Sequence, residues 1–249
     1  MSINIFDFGG FPTKEEREVI EKGMPHLDQI ILNINPNQYS TARKVEFFYS
    51  LKEFKSWLRH FNNKIVGITH SYIMVIYYYN MGIPDEEWNQ LPEKTGESIQ
   101  YFPNFKDEHY CIKYFFNYYL DVFYHKLFGA WDSMCHLINI FYGMNIKTGS
   151  GFNGKVMEEL KNHDLDLYNY LQGVINNEIY KKANQIRNNL THNYPPNDID
   201  SGIERLDSGI TIYTVGNYTT SKNLKENMNN IIKLLNKTNK KLKVYFSPR

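Results

Sequence analysis

The sequence predicts an all-α protein: a helical bundle with long helices and a minor two-stranded β element near its C-terminus. Three observations carry that expectation. Apolar residues recur at spacings of three and four over most of the chain, as they do along one face of a helix. Prolines and glycines gather between those stretches rather than inside them. One β-branched alternating run, Ile210-Thr-Ile-Tyr-Thr-Val215, stands apart from the helical pattern.

Composition sets the outer limits. Of 249 residues, 42% are hydrophobic and 16% aromatic, 20 of them tyrosine, so an ample core is available and disorder is not expected. The formal net charge of +1 excludes a basic footprint over the whole molecule, and any nucleic-acid contact must be a local patch. Cys111 and Cys135 lie too far apart for a zinc knuckle and read as reduced core cysteines; no cofactor is expected. The start, Met1 to Phe8, lacks a basic segment followed by a long apolar one, so it is no signal peptide. The most apolar run, Ile65 to Tyr79, is shorter than a membrane span and contains His70. These features predict a soluble, cytoplasmic protein with no membrane partner.

Taken in order, the elements follow from local signals. After an irregular or strand-like lead, a capping box at Thr13-Lys-Glu-Glu16 opens a helix that stops near Gly23. His26 to Asn37 alternates weakly and reads as loop or short strand, closed by Asn35-Pro36. From Ser40 to Asn80 the helical period is sustained through Phe47, Leu51, Phe54, Leu58, Phe61, Ile65, Ile68, Tyr72, Val75 and Tyr79. Asn62-Asn63 and Gly67 mark where it would break or kink. Arg43, Lys44, Lys52, Lys55 and Arg59 make its first part basic, either a solvated face or a path for RNA phosphates. Residues 82–104, with Pro84, Pro92, Gly96 and Pro103, form the longest linker and an internal boundary. That boundary separates residues 1–104, an N-terminal helical extension that is either distinct from the bundle or continuous with it, from residues 105–249.

A long helix is predicted from Asp107 to Tyr142, its buried stripe running Ile112, Phe116, Tyr119, Phe123, Ala130, Met134, Leu137, Phe141. Opposite runs a polar stripe, Asn117, Asp121, His125, Asp132, His136 and Asn139, which is either the wet side or a surface for a partner helix. It makes a poor metal site, because no third ligand stands nearby. Gly143 to Gly154 is a glycine-bearing turn and not a phosphate loop, since Lys147 precedes the glycines and no Gly-Lys-Ser/Thr follows. Residues 155–171 form a helix bent near His163-Asp164, and the next helix starts around Gly173. Near the end, Ser221 caps a last helix with Leu224, Met228, Ile231 and Leu235 inward, and Leu242 to Phe246 makes a strand to pair with 210–215.

The helix that starts around Gly173 carries the candidate site. Its apolar positions run Ile175, Ile179, Ala183, Ile186 and Leu190, and the double proline Pro195-Pro196 ends it within a residue or two of His192. Arg187, Asn188 and Thr191 lie off the buried face, with Asn188 and His192 four apart. Lys181 and Lys182 precede them, and no acid follows until Asp198, so the local charge is positive. A permanent cation, an amide and an imidazole at a blunt helix end suit a phosphodiester; alternatively, Arg187 and His192 merely complement the dipole at a helix C-terminus.

Arg187-Asn188 followed by three residues and His192 resembles the signature of the HEPN superfamily, the higher eukaryotes and prokaryotes nucleotide-binding domains. The resemblance is specific over about ten residues and architectural over 105–240, with 105–249 as the HEPN-like bundle. It implies an α-helical bundle, usually a homodimer, and for many members a metal-independent RNA endonuclease of toxin–antitoxin or phage-defence systems. Such proteins often carry a polar or acidic residue on a helix facing the motif, and Asp132, with His136 beside it, is the candidate here. RNA brings its own nucleophile, the 2′-hydroxyl, so the protein needs a base, which is His192, and charge compensation, which is Arg187. Asn188 orients the phosphate or fixes the His tautomer, and Lys181, Lys182 and Thr191 help bind the chain. Two abutting motif helices would supply base and acid from different protomers, giving a 2′,3′-cyclic phosphate and a 5′-hydroxyl. A different class stays open: a non-catalytic helical module that grips RNA or a nucleotide, or only builds a dimer. An antitoxin is a further expected partner of the nuclease reading.

Overall fold

A computed structural model of the chain describes residues 9–32, 44–92 and 98–247, the side chains of 44–49 excepted. The protein is a predominantly helical bundle. Its helices are α1 (Lys14–Gly23), α2 (Lys44–Asn80), α3 (Asp107–Phe141), α4 (Phe152–His163), α5 (Leu165–Ile175), α6 (Glu178–His192) and α7 (Ser221–Phe246). Among the described residues two short antiparallel pairs accompany them: β1 (Asn89–Gln90) with β2 (Gln100–Tyr101), and β3 (Ile203–Arg205) with β4 (Thr211–Tyr213).

Local chemistry explains most boundaries. The capping box at α1 forms in both directions: the Thr13 hydroxyl accepts from the Glu16 amide and the Glu16 carboxylate accepts from the Thr13 amide at 2.7 Å. Asp164 ends α4 and opens α5, its Oδ1 accepting the Leu167 amide at 2.9 Å, which makes the predicted bend a clean break. Gly202 holds φ +64°, and a Cβ there would collide with the Thr214 carbonyl, so the β3–β4 pair needs glycine at its mouth. Arg43, Asn35-Pro36, Gly96 and the lead up to Phe8 lie outside the described residues, as do the side chains of Lys44 and Phe47.

Four expectations are corrected. Helix α2 is unbroken over 37 residues. Asn62 does not interrupt it, because its side chain turns outward to pair with the Ile30 backbone, accepting at 3.0 Å and donating at 2.9 Å. The motif helix begins at Glu178, not Gly173: α5 stops at Ile175, itself exposed, and the Asn177 side chain caps the Ile179 amide at 2.9 Å. Residues 242–246 are helical, since Leu242 and Phe246 continue the inner stripe of α7, and β4 pairs with 203–205 instead. The hydroxyl facing the first turn of α7 belongs to Thr220, whereas Ser221 is already helical.

The chain divides into two compact units, both drawing on residues before and after position 104. The first comprises 1–24, 70–124 and 182–230. Its core is formed by Tyr72, Ile73, Ile76, Tyr78, Phe116, Leu120, Phe123, Ala183, Ile186, Leu224 and Met228. Buried tyrosine hydroxyls are satisfied by side chains across it: Tyr124 donates to Asn227 at 2.6 Å and Tyr72 to Asn229 at 2.8 Å. The second comprises 25–69, 125–181 and 231–249, with Phe61, Ile65, Leu127, Leu137, Val156, Leu160, Leu167, Ile231 and Leu235 at its centre. Phe54, Phe141 and Phe246 pack as an aromatic trio there, at centroid separations of 5.0 to 6.2 Å. Among the described residues no helix is long and apolar enough to cross a membrane.

Candidate functional site

Helix α6 places the motif at its last turn. Ala183 and Ile186 are buried and Leu190 half-buried, so the opposite arc is left for polar groups. Arg187 is half-buried and its Nη2 donates to Asn184 Oδ1 at 3.1 Å, which steers the guanidinium along the helix surface. Thr191 donates its hydroxyl to the Arg187 carbonyl at 2.8 Å, so that proton is committed to the backbone. Asn188 is half-buried, and His192, the final helical residue, is exposed. At about 100° per residue, Asn188 and His192 diverge by only about 40° around the axis, but Arg187 and His192 diverge by about 140°. One copy of α6 therefore presents the motif as a broad polar arc, with the cation at its buried edge and the imidazole at its open edge.

The segment leaving the motif is pinned from two directions. The Thr219 amide donates to the Pro196 carbonyl at 2.6 Å. From α3, the buried Lys113 ammonium donates to the Asn197 carbonyl at 2.7 Å and reaches Asp198 Oδ1 at 3.3 Å. It also lies 5.4 Å from the Phe102 ring centroid and 5.5 Å from that of Tyr218. Tyr218 in turn donates to Asp85 Oδ2 at 2.6 Å, and Asp85 accepts the Ser221 amide and hydroxyl, each at 2.8 Å. Asp85 is 1% exposed. Residues 82–104, read from sequence as a linker, thus carry a buried anchor and an aromatic cluster of Trp88, Phe102 and Phe105.

Burial lowers the Lys113 pKa from the ordinary lysine value, against the smaller opposing pull of Asp198 and Asp85. The unfolded chain then holds its proton at pH values where the folded one has begun to lose it, so stability rises with pH through that window up to about 10.5. Subtracting the stability of Lys113→Met from wild type, by urea titration between pH 8 and 10, should give a difference that grows with pH. A flat difference would contradict this assignment.

The remaining expected site residues are placed as follows. Lys181 pairs with Glu178 at 2.8 Å, and Lys182 is exposed. Lys52, Lys55 and Arg59 on α2 are exposed as well. Asp132 and His136 belong to the second unit, whereas residues 182–192, with the motif, belong to the first. Asp132 is exposed and accepts from Asn153 Nδ2 at 2.7 Å. His136 is sandwiched, its ring 3.7 Å from Trp57 and 4.3 Å from Phe152. Desolvation lowers its pKa from 6.5, outweighing the attraction of Asp132 and aided by His60. Its neutral form is favoured on folding, so its contribution to stability falls as pH drops below 6.5. An NMR titration should find this imidazole titrating below 6.5, and a midpoint above 6.5 would contradict it.

On the first unit, Lys113 stands one turn ahead of Asn117 and Asp121 of the α3 polar stripe, the three being four residues apart and so on one face. The Asn117 Oδ1 is buried with no hydrogen-bond partner among the described residues. Sequence reasoning took Asp132 from that stripe and passed over Lys113 and Asp85. The signal for Lys113 was a lysine at the start of the stripe, next to Ile112, and none marked Asp85. Cys111 and Cys135 are free thiols, and burial pushes that of Cys135 up to about 12. Among the described residues no three His, Cys, Asp or Glu side chains gather as a metal site would need.

Comparison with known proteins adds the family. Residues 57–247 match the model of the Cthe2314-like HEPN family. No curated protein and no solved structure matches the chain. With most of its length under that match and the Arg-Asn-x-x-x-His pattern at the end of α6, the chain belongs to the HEPN superfamily.

Proposed function

We infer that this protein is a metal-independent RNA endonuclease acting through the polar arc of α6. The observation that carries the reading is the Arg187-Asn188-x-x-x-His192 pattern, held at the blunt end of a helix in a chain of the HEPN family. His192, exposed at the last helical residue, takes the proton from the 2′-hydroxyl. Arg187 offers parallel, charge-assisted donors to the non-bridging oxygens. Asn188, one turn before His192, orients the phosphate or the imidazole. The 140° spread between Arg187 and His192 favours a site completed by a second copy, in which one protomer supplies the guanidinium opposite its partner's imidazole. Lys181 and Lys182 extend the positive surface along the helix. A restraining antitoxin and a role in phage defence fit a cytoplasmic nuclease of this kind.

A second reading has an observation of its own. Arg187 is half-buried and bonded to Asn184, as a structural or dimer-forming arginine would be. The protein would then hold RNA without cutting it. Incubating the pure protein with structured RNA in EDTA separates the two: the nuclease reading expects shortened RNA, and the binding reading expects a retarded but intact band. Cleavage only after a divalent ion is restored would overturn the metal-independent mechanism.

A further inference from the structure

Charge is divided unevenly between the two units. The unit carrying the motif has 11 Lys and Arg against 18 Asp and Glu, a formal −7, whereas the second unit has 17 against 9, a formal +8. A polyanion is therefore drawn to the second unit. Within it, residues 231–249 hold six Lys and Arg and no acid. Five of these are lysines on one side of α7, and all five are exposed. With Lys233 as zero, Lys237 and Lys240 fall within about 40° of it, and Lys241 and Lys243 lie at about 80° on either side. The opposite side is filled by Ile231, Ile232, Leu235, Leu242 and Phe246, each 3% exposed or less.

These ammoniums neutralise nothing in the protein. Lysine ion pairs among the described residues belong to Lys113, Lys181 and Lys222 instead. Lys241 leans over the rings of Tyr170 and Tyr245, at 5.7 and 5.4 Å. The helix dipole favours a cation in the last turn, which accounts for Lys243. It does not account for Lys233, Lys237 and Lys240, which stand more than one turn from the end. Like charges four residues apart, as in Lys233 and Lys237, disfavour the helix, and an external polyanion relieves that repulsion.

We propose that the lysine face of α7 is a docking surface for the phosphate backbone of RNA, separate from the residues of the motif. The choice of RNA as the polyanion rests on the nuclease reading above. The row from Lys233 to Lys243 is about 15 Å long, room for several consecutive phosphates. Lysine is a flexible point charge, so the contacts go to phosphate rather than to base edges and are indifferent to sequence. A lipid surface fits less well. A helix that binds membranes sinks its apolar face into lipid, and here that face is spent on the core.

The test measures binding of the full chain to a 2′-O-methyl RNA of about 20 nucleotides, by fluorescence anisotropy between about 50 and 200 mM salt. That RNA lacks the 2′-hydroxyl nucleophile, so binding is read whether or not the protein is a nuclease. Replacing Lys233, Lys237 and Lys240 together by glutamine should reduce the slope of log K on log[salt] by about 2–3 and weaken binding on the order of 10²-fold at about 0.1 M salt. RNAs of two unrelated sequences should lose equally. Lys147, Lys155 and Lys161 are also exposed and belong to the same unit. Their replacement by glutamine removes as much charge elsewhere and should cost less than about threefold, as distant exposed charges are screened. Circular dichroism of both triple variants checks the fold, glutamine and lysine having nearly equal helix propensity. A loss confined to the α7 variant supports the surface even if wild type cuts no natural RNA, a result that would remove the nuclease reading alone. An unchanged salt slope, an equal loss in the control variant, or no binding at about 0.1 mM protein in about 50 mM salt would overturn the proposal. Polyglutamate or phosphatidylserine vesicles bound as tightly as RNA at equal salt would overturn it too.

Discussion

Replacing His192 by alanine is expected to slow RNA cleavage by roughly 10²–10⁴-fold, the usual worth of a general base. Arg187→Ala should cost about 10²–10³-fold, because the charge developing on the phosphate loses its fixed donors. Arg187→Lys should recover little, since an ammonium is a point charge and cannot offer the parallel pair of bonds. Circular dichroism of both arginine variants checks that they fold, Arg187 being half-buried and bonded to Asn184 on the same helix. Mixing the two inactive alanine proteins discriminates further. If each site joins Arg187 of one protomer to His192 of its partner, mixed dimers keep one Arg187–His192 pair, though not a second imidazole as acid, and activity returns to at most about a quarter of wild type. If both residues act within one chain, no mixture regains activity.

Asp85→Ala should be the most destabilising single change outside the apolar cores. It leaves the Tyr218 hydroxyl and the Ser221 amide and hydroxyl without their acceptor, all at buried or part-buried positions. At about 1 kcal/mol for each lost bond, the total is on the order of 3 kcal/mol. A thermal melt should then fall by roughly 10 °C for a chain of this size. Asp85→Asn retains a carboxamide oxygen and should lose less. The consequence reaches the motif, because Tyr218 and Thr219 adjoin the contact that fixes Pro196. Hydrogen exchange at 193–198 should therefore quicken in Asp85→Ala. A melt within about 1 °C of wild type would contradict the anchoring role.

What was legible in the sequence was whatever repeats within a few residues. The capping box of α1, the long α3, the break at Asp164 and the end of α6 before Pro195 are each set by neighbours in the chain. Register at the C-terminus was misread because Leu242 to Phe246 carries β-branched and aromatic residues that also fit the inner stripe of α7, and packing decided for the helix. The start of the motif helix was placed too early for a related reason. Ile175 fits the four-residue spacing of α6, yet Asn176 and Asn177 intervene and restart the helix. The identity of the motif residues was readable as a local pattern. Their support was not: Asp85, Lys113, Asn197 and Tyr218 lie up to 133 residues apart, and no period connects them.

The chemistry assigned to the end of α6 is tested most directly by the ends of the RNA it makes. Purified protein and RNA are incubated in EDTA, and the new termini are identified for wild type and for His192→Ala. The account predicts 2′,3′-cyclic phosphate and 5′-hydroxyl ends from wild type and almost none from the variant. Termini bearing a 5′-phosphate, or equal cleavage by the His192→Ala protein, would contradict it.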